Sequence, residues 1–246
     1  WSSDVCSSDL TPRINGIPFF EKPPLVYWAA AAFYRVLGRS ELTTRLPSAI
    51  AVTLTVLMIL VVGIKRFGGR AGIFSAAFLI TAPLTLGSAR QLTTDATLTF
   101  CITASCLSYF TARTAKPGKG KRWYLSFWFF CGLGVLAKGL PGIVIPVGSA
   151  VLYLLFTEGL RPGELWSALR EARLLEGLAI FLIVALPWHL AAYSASGREF
   201  TDEYIIRQHL GRFRGGDTAH RMPFWFFVPG LLVGAFPWSM FLPSAM

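Results

Sequence analysis

Apolar residues dominate this chain in long blocks, and polar residues arrive in short bursts between them. The first long block is 46–64, LPSAIAVTLTVLMILVVGI, followed by 71–89 and 96–112. Then come 123–137, 139–157, 177–197 and 223–246. A helix needs about 20 mostly apolar residues to cross the hydrocarbon of a bilayer. The pattern therefore predicts an all-α, polytopic transmembrane bundle of about seven spans. The pair 123–137 and 139–157 is ambiguous. Gly132, Gly134, Gly139 and Pro141 cluster there, and the two runs could be one kinked element. Residues 23–38, PPLVYWAAAAFYRVLG, are apolar but short. They predict a helix lying in the membrane interface, opened by proline in its first turn.

Composition agrees with a membrane protein. The chain is 54% hydrophobic and 15% charged, whereas a soluble domain carries about 25% charged residues. The net charge of +10 does not indicate nucleic acid, because the basic residues punctuate the apolar runs instead of forming one patch. The turn KRFGGR at 65–70 holds three, the loop RTAKPGKGKR at 113–122 holds five, and 158–173 adds Arg161, Arg170 and Arg173. If every run crosses, these loops share one side, which the positive-inside rule makes cytoplasmic. The segment 198–221 is a basic loop on the other side, so Arg198, Arg207, Arg212, Arg214 and Arg221 become candidates for function.

The same topology gathers three distant segments outside the cytoplasm: FFEKPP, QLTTD and IIRQHLGRFR. Together they bring carboxylates, an ammonium, guanidinium groups and an imidazole, a set suited to a phosphate and a metal. Each member has a plainer reading. Asp95 could cap the helix that begins at Ala96. Glu21 and Lys22 could be an ordinary charged helix start. His209 could be a solvated loop histidine, and Arg212 and Arg214 could touch phospholipid headgroups. His189, inside an apolar run, reads as a packed or hydrogen-bonded residue with no catalytic role. Cys101, Cys106 and Cys131 read as small buried apolar residues, not as a disulfide or zinc framework.

The stretches TPRINGIPFFEKPPLVYW, RLPSAIAV, ARQLTTDATLTF, GLGVLAKGLPGIVIP, ALPWHL, HLGRF and PFWFFVPGLLVGAFPWS occur in that order. In this ordered set the chain resembles the bacterial aminoarabinose transferase family, related to the protein O-mannosyltransferases. These are polyprenyl-phosphate-dependent glycosyltransferases with the GT-C fold. The resemblance covers residues 11–246, and its EKPP and TTD motifs are the specific part.

The resemblance implies a multi-pass enzyme of the bacterial inner membrane. Such an enzyme moves a sugar from a polyprenyl-phosphate donor to a lipid A-like lipid, a protein or a glycan on the periplasmic face. It implies a divalent metal, zinc, held by Glu21 and His209. Lys22, Arg212 and Arg214 would meet the donor phosphate, and Asp95 would belong to the catalytic site. The family often has tyrosine two residues before the glutamate, where this chain has Phe19, so that hydroxyl contact is absent. Members also carry a first span and an aspartate motif ahead of the TPR stretch, and that aspartate would be the general base. Here WSSDVCSSDL, residues 1–10, stands in its place and resembles translated adapter sequence. The expectation is a partial GT-C domain over 11–246, inactive without the missing base. The rival reading is a transporter. Transporters usually carry ionisable residues near mid-bilayer, whereas the spans here hold essentially none except His189.

Overall fold

The structure is a computed structural model. It describes residues 13–14, 17–18, 20–116, 118–158, 163, 167, 170–211 and 223–241. A short antiparallel hairpin comes first, with Arg13 opposite Pro18 and Ile14 opposite Ile17. All other regular structure described is helical. The helices are α1 (Leu25–Leu37), α2 (Glu41–Phe67), α3 (Gly69–Thr81), α4 (Pro83–Ala89), α5 (Thr94–Arg113), α6 (Lys121–Lys138), α7 (Pro141–Glu158) and α8 (Leu174–Phe200). A π-helix, Thr201–Gly211, continues from α8, and α9 (Phe227–Gly234) lies between the short 3-10 turns Phe224–Phe226 and Trp238–Phe241.

The apolar runs fall largely on helix, but against the seven or so spans expected, two helices among the described residues, or three with one bent pair, are long and apolar enough to cross a membrane. α2 and the segment from Leu174 to Gln208 are by themselves long and apolar enough to cross a membrane. α3 and α4 pass the same test together, as one candidate span bent by 64°. The bend falls at Ala82 and Pro83, where proline takes the first helical position of α4. The ambiguous pair resolves into two helices broken at Gly139 and Leu140. Their close approach requires glycine: a Cβ on Gly142 would lie 2.0 Å from the Gly134 carbonyl carbon.

α5 and α6 form the centre, antiparallel and in extensive contact, with α2, α7 and α8 around them. Tyr109, Tyr124, Phe127, Cys131 and Leu154 pack into one buried cluster. Tyr109 meets Phe127 with ring centroids 5.6 Å apart and Tyr124 at 6.0 Å. Cys101 and Cys131 are buried between the helices, as small apolar side chains would be.

The connections sort into two ends. Arg66, closing α2, donates to the Thr114 carbonyl at 3.4 Å. Arg113 meets Glu171 at 2.6 Å, and Lys121 meets Glu176 at 3.4 Å. The Lys/Arg-rich turns 65–70, 113–122 and 170–173 thus gather at one pole, as the charge pattern requires. α5 has 20 residues, so its other end lies about 30 Å away. At that far pole Ser48 of α2 binds the Thr93 backbone: its hydroxyl accepts from the Thr93 amide at 3.1 Å.

Candidate functional site

The far pole is built outward from an aromatic layer. Phe20 is 2% exposed and packs with Leu136, Trp188, Ala192, Phe200 and Tyr204. Phe20 meets Phe200 edge-on at 5.4 Å, and Trp188 meets Phe200 at 5.7 Å. Phe200 and Tyr204 stack at 5.1 Å. The π-helix therefore begins against the segment that carries Glu21. Gly197, with φ 52 and ψ −119 inside α8, supplies the kink that turns Phe200 back onto this layer. Pro23 and Pro24 are buried, and α1 starts directly after them. The EKPP stretch is thereby fixed on both sides, by Phe20 before it and by two buried prolines after it.

Glu21 is exposed at the rim of this layer and Lys22 is half-buried beside it. Tyr27 lies below. Burial first, and then the negative charge of Glu21, push its phenol up to about 12, so it stays protonated at neutral pH. Tyr27 is buried against the bundle, and Trp28 is the exposed ring.

Asp95 lies in the first turn of α5, but the cap there is Thr93. Its hydroxyl accepts from the Ala96 amide at 3.4 Å. Asp95 instead forms an ion pair with Lys138, the last residue of α6. Lys138 follows Leu136 by two residues, and Leu136 packs in the layer with Phe20. Glu21, Lys22 and Asp95 consequently lie toward the same end of α6, linked through Leu136 and Lys138. The sequence pattern did not single out Lys138. The signal available was a lone cation in the apolar stretch GLGVLAKGLPG.

The segment 198–211 is helical, contrary to the loop expected. Tyr204 anchors it, and Glu203 binds Arg207 at 3.1 Å and Gln208 at 3.0 Å. The backbone of His209 belongs to this π-helix, so it starts from the same pole as Asp95. The His209 side chain, Phe19, Arg161, Arg212, Arg214, Arg221 and residues 1–10 lie outside the described residues. His189 is a structural residue. Its Nδ1 lies 2.7 Å from the Ala185 carbonyl and its Nε2 3.3 Å from the Tyr204 hydroxyl.

Among the described residues no three metal-binding side chains cluster. Glu21 is an exposed carboxylate on a turn beside the element that carries the His209 backbone. Zinc accepts carboxylate and imidazole together, with bonds of about 2.0–2.2 Å. At the same pole a hollow of about 320 Å³ opens between the starts of α2 and α5, lined by Glu41, Thr44, Arg45, Arg90, Gln91 and Leu92.

Comparison with known proteins agrees with this geometry. Residues 21–190 match the family model described as dolichyl-phosphate-mannose-protein mannosyltransferase. An undecaprenyl phosphate-alpha-4-amino-4-deoxy-L-arabinose arabinosyl transferase of Pseudomonas aeruginosa is 30% identical over 240 residues, covering 96% of this chain and 42% of that protein. The enzyme of the same description from an Enterobacter strain is 26% identical over 241 residues, with the same coverage. The crystal structure of ArnT from Cupriavidus metallidurans bound to undecaprenyl phosphate superposes with a TM-score of 0.88 at 26% identity. It covers 98% of this chain and 43% of that one. The chain thus spans less than half the length of the relatives it matches.

Proposed function

Because the chain belongs to the dolichyl-phosphate-mannose-protein mannosyltransferase family, we propose that it is the donor-binding part of a membrane glycosyltransferase that uses a polyprenyl-phosphate-linked sugar. The observation that carries this reading is that Phe20, beside Glu21 and Lys22, packs with Leu136 of α6, while Lys138 at the end of the same helix pairs with Asp95. The likeness to an ArnT bound to undecaprenyl phosphate supports the same donor class. The acceptor is a lipid, a protein or a glycan on the non-cytoplasmic side. The Lys/Arg-rich turns at the opposite pole favour that side.

The reaction asks two things of the residues. The acceptor oxygen attacks the anomeric carbon as the bond to the phosphate oxygen breaks, so negative charge grows on the departing phosphate. Fixed cations aimed at that charge favour the transition state. Lys22 supplies one from the EKPP turn, Arg212 and Arg214 supply others, and Lys138 supplies one from the end of α6. Asp95 holds the Lys138 ammonium in place; it acts as a positioning residue. Glu21 and His209 would hold zinc, which when bound would add positive charge beside the phosphate. The exposed Trp28 ring suits the membrane interface, where the lipid part of the donor enters.

The test is to incubate membranes containing the intact parent protein with radiolabelled polyprenyl-phosphate sugars and extract lipid, protein and glycan products. Label transferred to one product class, and lost in Lys22→Ala, is the expected result. No transfer from any polyprenyl-phosphate sugar would sink the proposal.

A further inference from the structure

The basic pole holds a cavity that the transferase reading leaves unused. It has a volume of about 700 Å³ and lies where α5 ends, α6 begins and the segment before α8 passes. Arg113, Lys116, Lys121, Arg170 and Arg173 line it, with Glu171 as the acidic residue among the described lining. Glu171 pairs with Arg113, and Glu176 is shared by Arg173 at 2.6 Å and Lys121 at 3.4 Å. Among the described residues five cations face two carboxylates here, an excess of positive charge.

Two further features point to a bound anion. Tyr124 lines the cavity and is 4% exposed, and its hydroxyl, beside the Arg113 guanidinium, makes no hydrogen bond of ordinary geometry. The guanidinium can only donate, so the buried Tyr124 proton has no acceptor among the described residues, and an anionic oxygen would accept it. In addition, Gly120 and Lys121 at the start of α6 line the cavity, and no side chain caps that helix. Its first amides and its dipole favour negative charge there.

We propose that this cavity binds a phosphate group, and that its source is the headgroup of an anionic phospholipid in the adjoining leaflet. Beside it Arg122 lies over the Trp123 ring, 5.3 Å from the centroid, an arrangement suited to headgroup depth. Basic cavities between helices on the cytoplasmic side take phosphate headgroups by the same chemistry. The cavity is large enough to admit the glycerol as well as the phosphate.

The intact parent protein is purified from nanodiscs of phosphatidylcholine doped with phosphatidylglycerol, and retained lipid is read by native mass spectrometry. A second arm titrates inorganic phosphate into delipidated protein in neutral detergent. The variant is Lys116→Gln with Arg170→Gln, and Lys116→Arg with Arg170→Lys is the conservative control. We expect selective retention of phosphatidylglycerol, weakened roughly tenfold in the glutamine variant and kept in the control, with unchanged thermal midpoint of the delipidated proteins. A phosphate response lost in the glutamine variant without lipid selectivity supports the phosphate site with a soluble source. Equal lipid retention in wild type and glutamine variant, together with an equal phosphate response, overturns the proposal. Donor transfer at the opposite pole is assayed in parallel, so failure of one site is separable from failure of the other.

Discussion

At one end of α5 and α6 a single aspartate meets a single lysine; at the other, five cations crowd around two carboxylates. The same two helices carry both ends: α5 runs from Asp95 to Arg113 and α6 from Lys121 to Lys138. The basic end is rich in charge but loosely specified. Glu176 there is shared between Arg173 and Lys121. The other end uses few charges, each fixed by the elements around it: Glu21 by Phe20 and the buried prolines, Lys138 by the end of a packed helix. Many cations with slack geometry suit a topology signal and a headgroup. A few cations held in place suit chemistry.

The strongest way to break that contrast is Lys138→Met. Its partner Asp95 is 62% exposed, and an exposed pair stabilises a protein by at most about 1 kcal/mol. The thermal midpoint should therefore move little. Transfer activity of the intact parent should fall roughly 10²–10³-fold, the usual cost of removing one fixed charge-stabilising group. Asp95→Asn should lose activity too, by releasing the ammonium, and the double variant should be no worse than Lys138→Met alone. Additive losses would show that the two residues act separately.

Next in size is a break in the frame shared by both ends. Gly142→Leu would drive a side chain into the backbone of Gly134. Overpacking of this kind costs about 1–3 kcal/mol, and here backbone faces backbone, so little can yield. Loss of stability together with altered behaviour at both poles is the expected outcome of thermal unfolding in detergent. An unchanged midpoint would mean that α6 and α7 are not held this close.

How much of this was legible in the sequence follows the range of the interactions. The apolar runs announced the helices because burial and hydrocarbon both select for apolar length. Gly139 and Pro141 marked the join between α6 and α7 but left two helices and one kinked element both open. Three features were not legible. The cap of α5 could be any residue of TTD by composition, and only the reach of the Thr93 hydroxyl to the Ala96 amide decides it. The Asp95–Lys138 pair joins residues 43 apart, which no local pattern encodes. The π-helix after Phe200 depends on Tyr204 stacking on a ring brought back by the Gly197 kink. Of the candidate site, the EKPP turn and Asp95 were found by motif; Lys138 needed the fold.

A smaller effect sharpens the account of the motif pole. Thr93→Ala removes the cap of α5 and should cost about 1 kcal/mol of stability. It should also lower activity modestly, because the first turn carries Asp95. Thr93→Ser should restore both, since a serine hydroxyl caps equally well. If Thr93→Ala leaves activity intact while lowering stability, the exact seat of Asp95 does not matter to the reaction.

The smallest expected effect belongs to the basic pole, through Glu171→Gln. Arg113, its partner at 2.6 Å, has a side chain only 16% exposed, while the Glu171 side chain is 59% exposed. Water and salt therefore screen one half of the pair, and its net worth should lie at about 0.2–1 kcal/mol. That difference should appear in the thermal midpoint at low salt and shrink at high salt, because the screening length falls to about 3 Å at 1 M. Transfer activity should not change, because the pair is separated from Asp95 by the full length of α5, about 30 Å. The substitution also removes an acidic group from the wall of the 700 Å³ cavity, so phosphatidylglycerol retention should rise, not fall. Unchanged activity with stronger lipid retention would set the two poles apart as independent sites on shared helices. A large loss of transfer from so remote and so exposed a carboxylate would show that α5 couples them, and the contrast between the two ends would then be one of charge alone.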